Sequence, residues 1–425
     1  MRQKDFRAIH RRFLGFIDEF EPVFQRQDRM TRCSQYLSGL IIEGERKSIE
    51  PMAHRLGNVS SRSLQDFMVE SLWDADELME SLVSRTFSKF SDNGILVLDD
   101  TALPKQGKHS VGVAPQYCGV LGKIANCQSL VSWHWVSKST HVPMNSRLYL
   151  PEAWTTDKKR LKSARVPKEH QKFKKKWQIA LDLLDTITGK RSPDCVVFDA
   201  GYGEIPAFCR ALDERGLQFI GQIPDRMSFW PEDMRVDTKP SRVGKLGRPY
   251  KHPKVLDEGS KPKRAKLFAK EFNDQKHRWT KVKTPAGQVV EFCDVRVRQA
   301  QSQSFICPGP ERWLLIERLD DGGFKYYVSN LPDDTSIERL VYFAKSRWKI
   351  EQGYQQLKEE LGLDHYEGRR WSGLHHHVAL CFMAFHFLAE LKLTASAKKK
   401  SSPTHTASDK TMDQRSSSNQ SMPTL

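Results

Sequence analysis

Two short apolar runs that each close on a carboxylate constrain this chain more than any other feature. ILVLDD at 95–100 and CVVFDAGYG at 195–203 each place four consecutive apolar residues directly before aspartate. Runs this short and this rich in Val, Ile and Leu read as strands buried on both faces, which calls for helices above and below a sheet. The fold class is therefore α/β with a mixed sheet. An acid at the C-terminal end of such a strand stands where sheet-based active sites lie. It can equally do no more than cap the following turn, so neither aspartate carries a function by itself.

The segments around these runs supply the layers. Residues 1–90 read as helical, because Phe13, Phe16, Ile17 and Phe20, and later Leu64, Phe67, Met68 and Leu72, recur at helical spacing. Within them SIEPMAHRLGNVSSRSLQDFM holds two short helices around Gly57, either a helix-turn-helix or an ordinary helical hairpin. After ILVLDD, the segments QSLVSWHWVSK and VPMNSRLYL read as strands and KKKWQIALDLLDTI as a helix. CVVFDAGY, a helix over 205–215 and QFIGQIP follow, so the α/β part of the chain runs over 91–223 and resumes over 333–393. Residues 224–332 interrupt it with a basic Pro/Gly-rich loop and a mostly β segment, whose DDGG at 320–323 marks a hairpin. TSIE at 335–338 offers a capping box for a helix running to Gly362. The last stretch, 394–425, is too polar to fold alone and reads as a disordered tail.

Charge narrows the partner. The formal net charge is +16, and it is not spread evenly. Lys158–Lys176 holds ten Lys/Arg against one Glu, and Lys239–Lys283 fifteen against four acids, so two patches account for the whole excess. Aromatic residues in or beside them, among them Phe173, Trp177, Tyr250 and Trp279, suit a phosphate-tracking surface with rings for stacking. Eight cysteines without a C-x-x-C pair form neither a zinc knuckle nor a disulfide framework. His375, His376 and His377 point three ways on a helix, so packing suits them better than metal binding. GVLGKIAN lacks the spacing and hydroxyl of a P-loop, which excludes nucleotide hydrolysis of that type. The start, MRQKDFRAIHRRF, has no apolar signal region and no run of eighteen apolar residues follows, so a cytoplasmic, nucleoid-associated protein without membrane attachment is expected.

A third acid joins the two aspartates. In SRWKIEQGYQQLK, Arg347, Glu351 and Lys358 are four and seven residues apart and share one helix face. Three carboxylates beside basic surface suit Mg²⁺, which takes oxygen ligands and leaves positions for water and phosphate. Two such ions can run an in-line phosphodiester displacement.

The passages VLDDTALPKQGKHSVGVAPQYCGVLGKIANCQ, VVFDAGYG and RWKIEQGYQQLKEELGLDHYEGR resemble the DDE transposases of bacterial insertion sequences, in particular the insertion-sequence 701 group of the insertion-sequence 4-like class. The resemblance implies an RNase H-like catalytic domain with a β-rich insertion and an all-α N-terminal DNA-binding region. It implies metal-dependent cleavage of transposon ends and strand transfer to target DNA. Its first acid is the Asp directly followed by Thr, Asp100, with Asp99 as the alternative, since neighbouring strand residues face opposite ways. Asp199 and Glu351 are the second and third, and all three would hold Mg²⁺, with Mn²⁺ a possible substitute. Arg347 and Lys358 match the family's Tyr-x₂-Arg-x₃-Glu-x₆-Lys signature and would contact DNA phosphate. The signature tyrosine is replaced by Ala344. Trp313 stands where related enzymes keep a Trp that stacks on a flipped base; packing of the hairpin is the competing role. Partners implied are double-stranded DNA, as terminal inverted repeats and target, and a second copy of the chain, since two ends are processed together. The rival function is a non-catalytic, transposase-derived DNA-binding regulator.

Overall fold

The computed structural model describes residues 3–401 except 91, 232, 238–252, 258 and 303–305. Six helices lead: α1 (Gln3–Asp18), α2 (Glu21–Phe24), α3 (Gln27–Ile41), α4 (Ile49–Leu56), α5 (Ser61–Val69) and α6 (Ala75–Lys89). Asp74 caps α6 by accepting the Asp76 amide at 2.7 Å. Gly57, at φ +77°, makes the left-handed turn out of α4. Leu64, Phe67 and Met68 turn the inner face of α5 into the core.

The strands begin with β1 (Gly94–Pro104), β2 (Ala114–Cys118), β3 (Lys123–Ser137) and β4 (His141–Tyr149). The short helices α7 (Glu152–Thr155) and α8 (Lys158–Ser163) lead to α9 (Lys176–Thr188) and β5 (Cys195–Phe198). Then come α10 (Ala200–Gly203), α11 (Pro206–Glu214) and β6 (Phe219–Ile223). In space these strands run β4-β3-β1-β5-β6, with β3 antiparallel to β1 and β4, and β1, β5 and β6 parallel. The α9 and α11 crossovers make those parallel pairings possible.

The segment expected as a β insertion does not form a sheet of its own. It contains β7 (Ser228–Pro231), β8 (Val236–Asp237), β9 (Lys254–Val255), β10 (Lys263–Arg264), α12 (Ala265–Phe272), β11 (Thr280–Lys283), β12 (Val289–Ser302), β13 (Ile306–Arg318) and β14 (Phe324–Ser329). β14 pairs antiparallel with β6, so β14, β13, β12, β11, β7 and β10 extend the central sheet to twelve strands among the described residues, where β8–β9 form a separate pair. The hairpin at DDGG is present between β13 and β14, with Gly322 at φ +80°. Most of the loop GKLGRPYKHPKV and of the second basic patch before residue 253 lies outside the described residues.

Three helices close the chain: α13 (Ile337–Lys345), α14 (Trp348–Glu359) and α15 (Trp371–Ser401). The single helix expected from Thr335 to Gly362 is two. Ser336, not Thr335, caps α13, and Ser346 bonds back to the Tyr342 carbonyl at 2.6 Å, where the helix ends. Of the stretch expected as a tail, 394–401 belongs to α15, and residues 402–425 lie outside the described residues. Trp371–Ala395 is long and apolar enough to cross a membrane. Here its Leu374–Phe385 stretch is buried and packs on β4, α3, α5 and α6 as a core helix. The three adjacent histidines are all buried and bonded to neighbouring elements: His375 to the Leu148 amide, His376 to the Met68 carbonyl, His377 to Tyr36.

Arg85 ties the N-terminal helices to α15. Its guanidinium, 8% exposed, donates to Glu19 at 2.8 Å and to Glu390 at 3.0 Å. Arg85→Ala leaves the partly buried Glu390 without this partner and should cost about 3 kcal/mol in chemical denaturation.

Candidate active site

Strand alternation decides what the two adjacent aspartates face. β3 places Ser132 opposite Asp99 and Val131 opposite Asp100. The Ser132 hydroxyl meets the Tyr354 hydroxyl of α14 at 2.8 Å, whereas Trp133, on the other face, donates to the Ala180 carbonyl of α9 at 2.9 Å. Asp99 therefore looks toward α14, and Asp100 toward α9. Lys176, the first residue of α9, sits 2.5 Å from Asp100, which also accepts from Ser129 at 3.1 Å.

Parallel pairing brings the second aspartate alongside. Leu98 is level with Phe198, so Asp99, inside β1, and Asp199, just past the end of β5, come level where the parallel pairing stops. Asp199 caps α10 through the Tyr202 amide at 3.2 Å. Gly203 of DAGYG is needed for packing, since a Cβ there would lie 2.0 Å from the Gln222 carbonyl oxygen of β6. Burial and the charge of Asp199 push the Asp99 carboxyl up to about 7, against the pull of Arg347. Burial, then the charge of Asp100, also raises Asp199. These are like charges brought together before any cation is present.

α14 supplies the remaining groups. Arg347 donates to Asp99 at 3.1 Å and to Glu351, one turn on, at 2.5 Å. Glu351 is thus linked to the aspartates through a guanidinium and does not stand beside them; its side chain is 57% exposed. Among the described residues no group of three or more His, Cys, Asp or Glu is placed to hold a metal ion. The two aspartates are nevertheless enough for Mg²⁺, which binds through one or two carboxylates and completes its shell with water and phosphate. Their elevated affinity for protons marks a site that a divalent cation would relieve. Lys358 donates to the Ala102 carbonyl at 3.0 Å, and burial lowers its ammonium pKa.

Other expected residues lie apart. Trp313 is on β13, three strands from β5, and is buried. Its indole donates to the Pro332 carbonyl at 3.0 Å, and the Arg296 guanidinium lies 4.8 Å from its ring centre. That face is closed to a base unless Arg296 withdraws. Ala344, at the signature tyrosine position, borders a cavity of about 240 Å³ beside Arg347, Trp348, Glu351 and Tyr327. In the first basic patch Arg165 pairs with Glu70, Lys174 with Asp182 and Lys176 with Asp100, so part of its charge is internal. Tyr354 and Lys176 were not among the expected site residues. Tyr354, three residues after Glu351, could have been found from helical spacing; nothing in the sequence pairs Lys176 with Asp100.

Residues 19–288 match the family model described as DDE superfamily endonuclease, and that span holds both strand-end aspartates. The chain belongs to the DDE superfamily endonucleases. A probable transposase for insertion sequence element IS701 from Microchaete diplosiphon is 24% identical over 356 residues, covering 82% of this chain and 80% of that protein. A piggyBac transposase solved in a synaptic complex with hairpin DNA aligns over 89% of this chain and 74% of its own, at TM-score 0.38 and 12% identity. The protein is a DDE transposase of the insertion-sequence 701 type, and membership in this endonuclease family implies chemistry that depends on a divalent metal.

Asp99 binds its proton more tightly folded than unfolded, where its value is 3.8. The metal-free fold should therefore lose stability as pH rises from about 4 to about 7, by on the order of 4 kcal/mol. Denaturation across that range should show the slope, and Asp99→Asn should flatten it. At pH 8, Mg²⁺ should raise the melting temperature of the wild-type protein and leave that of Asp199→Asn unchanged.

Proposed function

We propose that this DDE transposase cleaves the ends of its element and transfers the freed 3′ ends to target DNA, with Asp99, Asp199 and Glu351 as the metal-holding acids. Asp99 takes the place that the family pattern gives to Asp100. The observation that carries this reading is the Asp99–Arg347–Glu351 link beside Asp199, which joins both strand-end acids to the third acid's helix. The strand order β4-β3-β1-β5-β6, antiparallel twice and then parallel twice, supports an RNase H-like core. Bound Mg²⁺, or Mn²⁺, would activate the attacking oxygen and stabilise the leaving one.

The chain's own groups prepare that step. Burial of Asp99 and Asp199 keeps water from screening the pair, so the two carboxylates would hold a divalent cation. Arg347 holds Glu351 outward in the free protein. A DNA phosphate that takes the guanidinium bidentately frees Glu351 to turn toward the aspartates. The site thus assembles on the substrate. Lys358, held at the edge of β1, contributes a second cation for phosphate. The N-terminal helices and the two basic patches grip the terminal inverted repeats, and a homodimer brings two ends together.

Cleavage of end-bearing duplexes by purified protein with Mg²⁺ tests this. Asp99→Asn, Asp199→Asn and Glu351→Gln should each lower cleavage by about 10³-fold or more while DNA binding persists. Asp100→Asn should stay within about tenfold of wild type, because its carboxylate serves Lys176. Loss of cleavage in Asp100→Asn with retention in Asp99→Asn would return the first acid to Asp100. Wild-type protein that binds ends and never nicks them would favour the regulator.

A further inference from the structure

β2 and the first residues of β3 form an exposed two-stranded ribbon. Ala114 pairs with Cys127 and Cys118 with Lys123, around a turn in which Gly122 takes φ +63°. Tyr117 and Ile124 are directly opposed across the ribbon and are 71% and 72% exposed. Val120 and Leu121 at its tip are 60% and 46% exposed. Four large apolar side chains on one two-stranded ribbon are not a solvated surface; such a patch marks a contact.

Position and charge identify the occupant. The ribbon continues from Pro104 at the end of β1, five residues beyond Asp99, since Pro104 and Ala114 both pair with Cys127. Its inner thiols lie within electrostatic reach of the site, Cys118 of Lys358, Cys127 of Lys176 and Asp100. From Pro104 to Asn126 the chain has Lys105, Lys108, His109 and Lys123 and no acid at all. The adjoining cleft, about 630 Å³, has Arg46, Lys105, His109 and Arg369 on its wall; of its acids, Glu367 is paired with Arg46, and Asp364 lies beside His365. An apolar ribbon edged only by cations complements a polyanion with apolar groove walls. A two-stranded ribbon fits the major groove of a duplex, where thymine methyls and base edges are exposed.

We propose that the β2–β3 ribbon is a DNA-contacting element: Val120 and Leu121, backed by Tyr117 and Ile124, seat in a groove of the duplex beside the scissile phosphodiester. Lys108 and Lys123 meet the phosphates on either side. The contact rests on the proposed cleavage role only for which part of the DNA it meets. It gives the enzyme a grip on the duplex that is independent of metal.

Binding of an end-bearing duplex to the full chain, read by fluorescence anisotropy at several salt concentrations without metal, tests the ribbon separately from cleavage. Val120→Ser with Leu121→Ser should weaken binding about tenfold at every salt concentration with the salt slope unchanged, since no counterion is released by these groups. Lys123→Ala should instead reduce the slope. A p-benzoylphenylalanine placed at position 121 should crosslink to DNA on irradiation. Unchanged affinity in the double variant, or no crosslink at 121, would overturn the assignment, whether or not the wild-type protein cuts DNA. The same holds if sedimentation shows that wild type dimerises without DNA, the double variant stays monomeric and DNA affinity is equal, for the ribbon would then be a copy-to-copy contact. Because all four side chains are exposed, the variants should melt with the wild type; if they do not, the crosslink alone decides.

Discussion

The parallel pairing of β1 with β5 is the constraint on which the site depends. It brings Asp99, inside β1, level with Asp199, just past β5, and the residues before each are buried. Burial raises the proton affinity of both, and the charge of Asp199 adds to it at Asp99 as the charge of Asp100 does at Asp199. The fold tolerates this because the crossover through α9 and the packing of α10 over-determine the register. The cost of holding two acids together is met by the rest of the core, and a divalent cation recovers it.

Arg347 is the hinge of the arrangement. It stands at the break between α13 and α14, and from there reaches both Asp99 and Glu351. With one guanidinium between two acids, Glu351 can face solvent without being unpaired. In the proposed reaction a DNA phosphate would compete for the same donors and so couple substrate binding to site assembly through a single side chain.

The β-rich segment changes meaning in the folded protein. Its pattern is that of an insertion, and it is one in the chain. In space β14 docks on the free edge of β6, and the segment becomes half of one sheet. An edge strand left open is a liability, and here it is covered by the protein's own insertion. Trp313 belongs to that extension and is used in packing, with Arg296 over its ring.

What the sequence determined by itself was local. The apolar runs before Asp99 and Asp199 specify buried strands, the spacing of Arg347 and Glu351 specifies one helix face, and the histidines of α15 cannot converge on one metal. These follow from periods of 2 and 3.6 and need no knowledge of neighbours. Only the tertiary structure decided which of Asp99 and Asp100 looks toward α14, that Lys176 holds the other, that Glu351 is tethered by Arg347, and that the tip of the β2–β3 ribbon lies open beside the site. Alternation says that adjacent residues face opposite ways. Which way is which depends on the helices covering each face of the sheet, and those are brought there by contacts between residues tens to hundreds of positions apart.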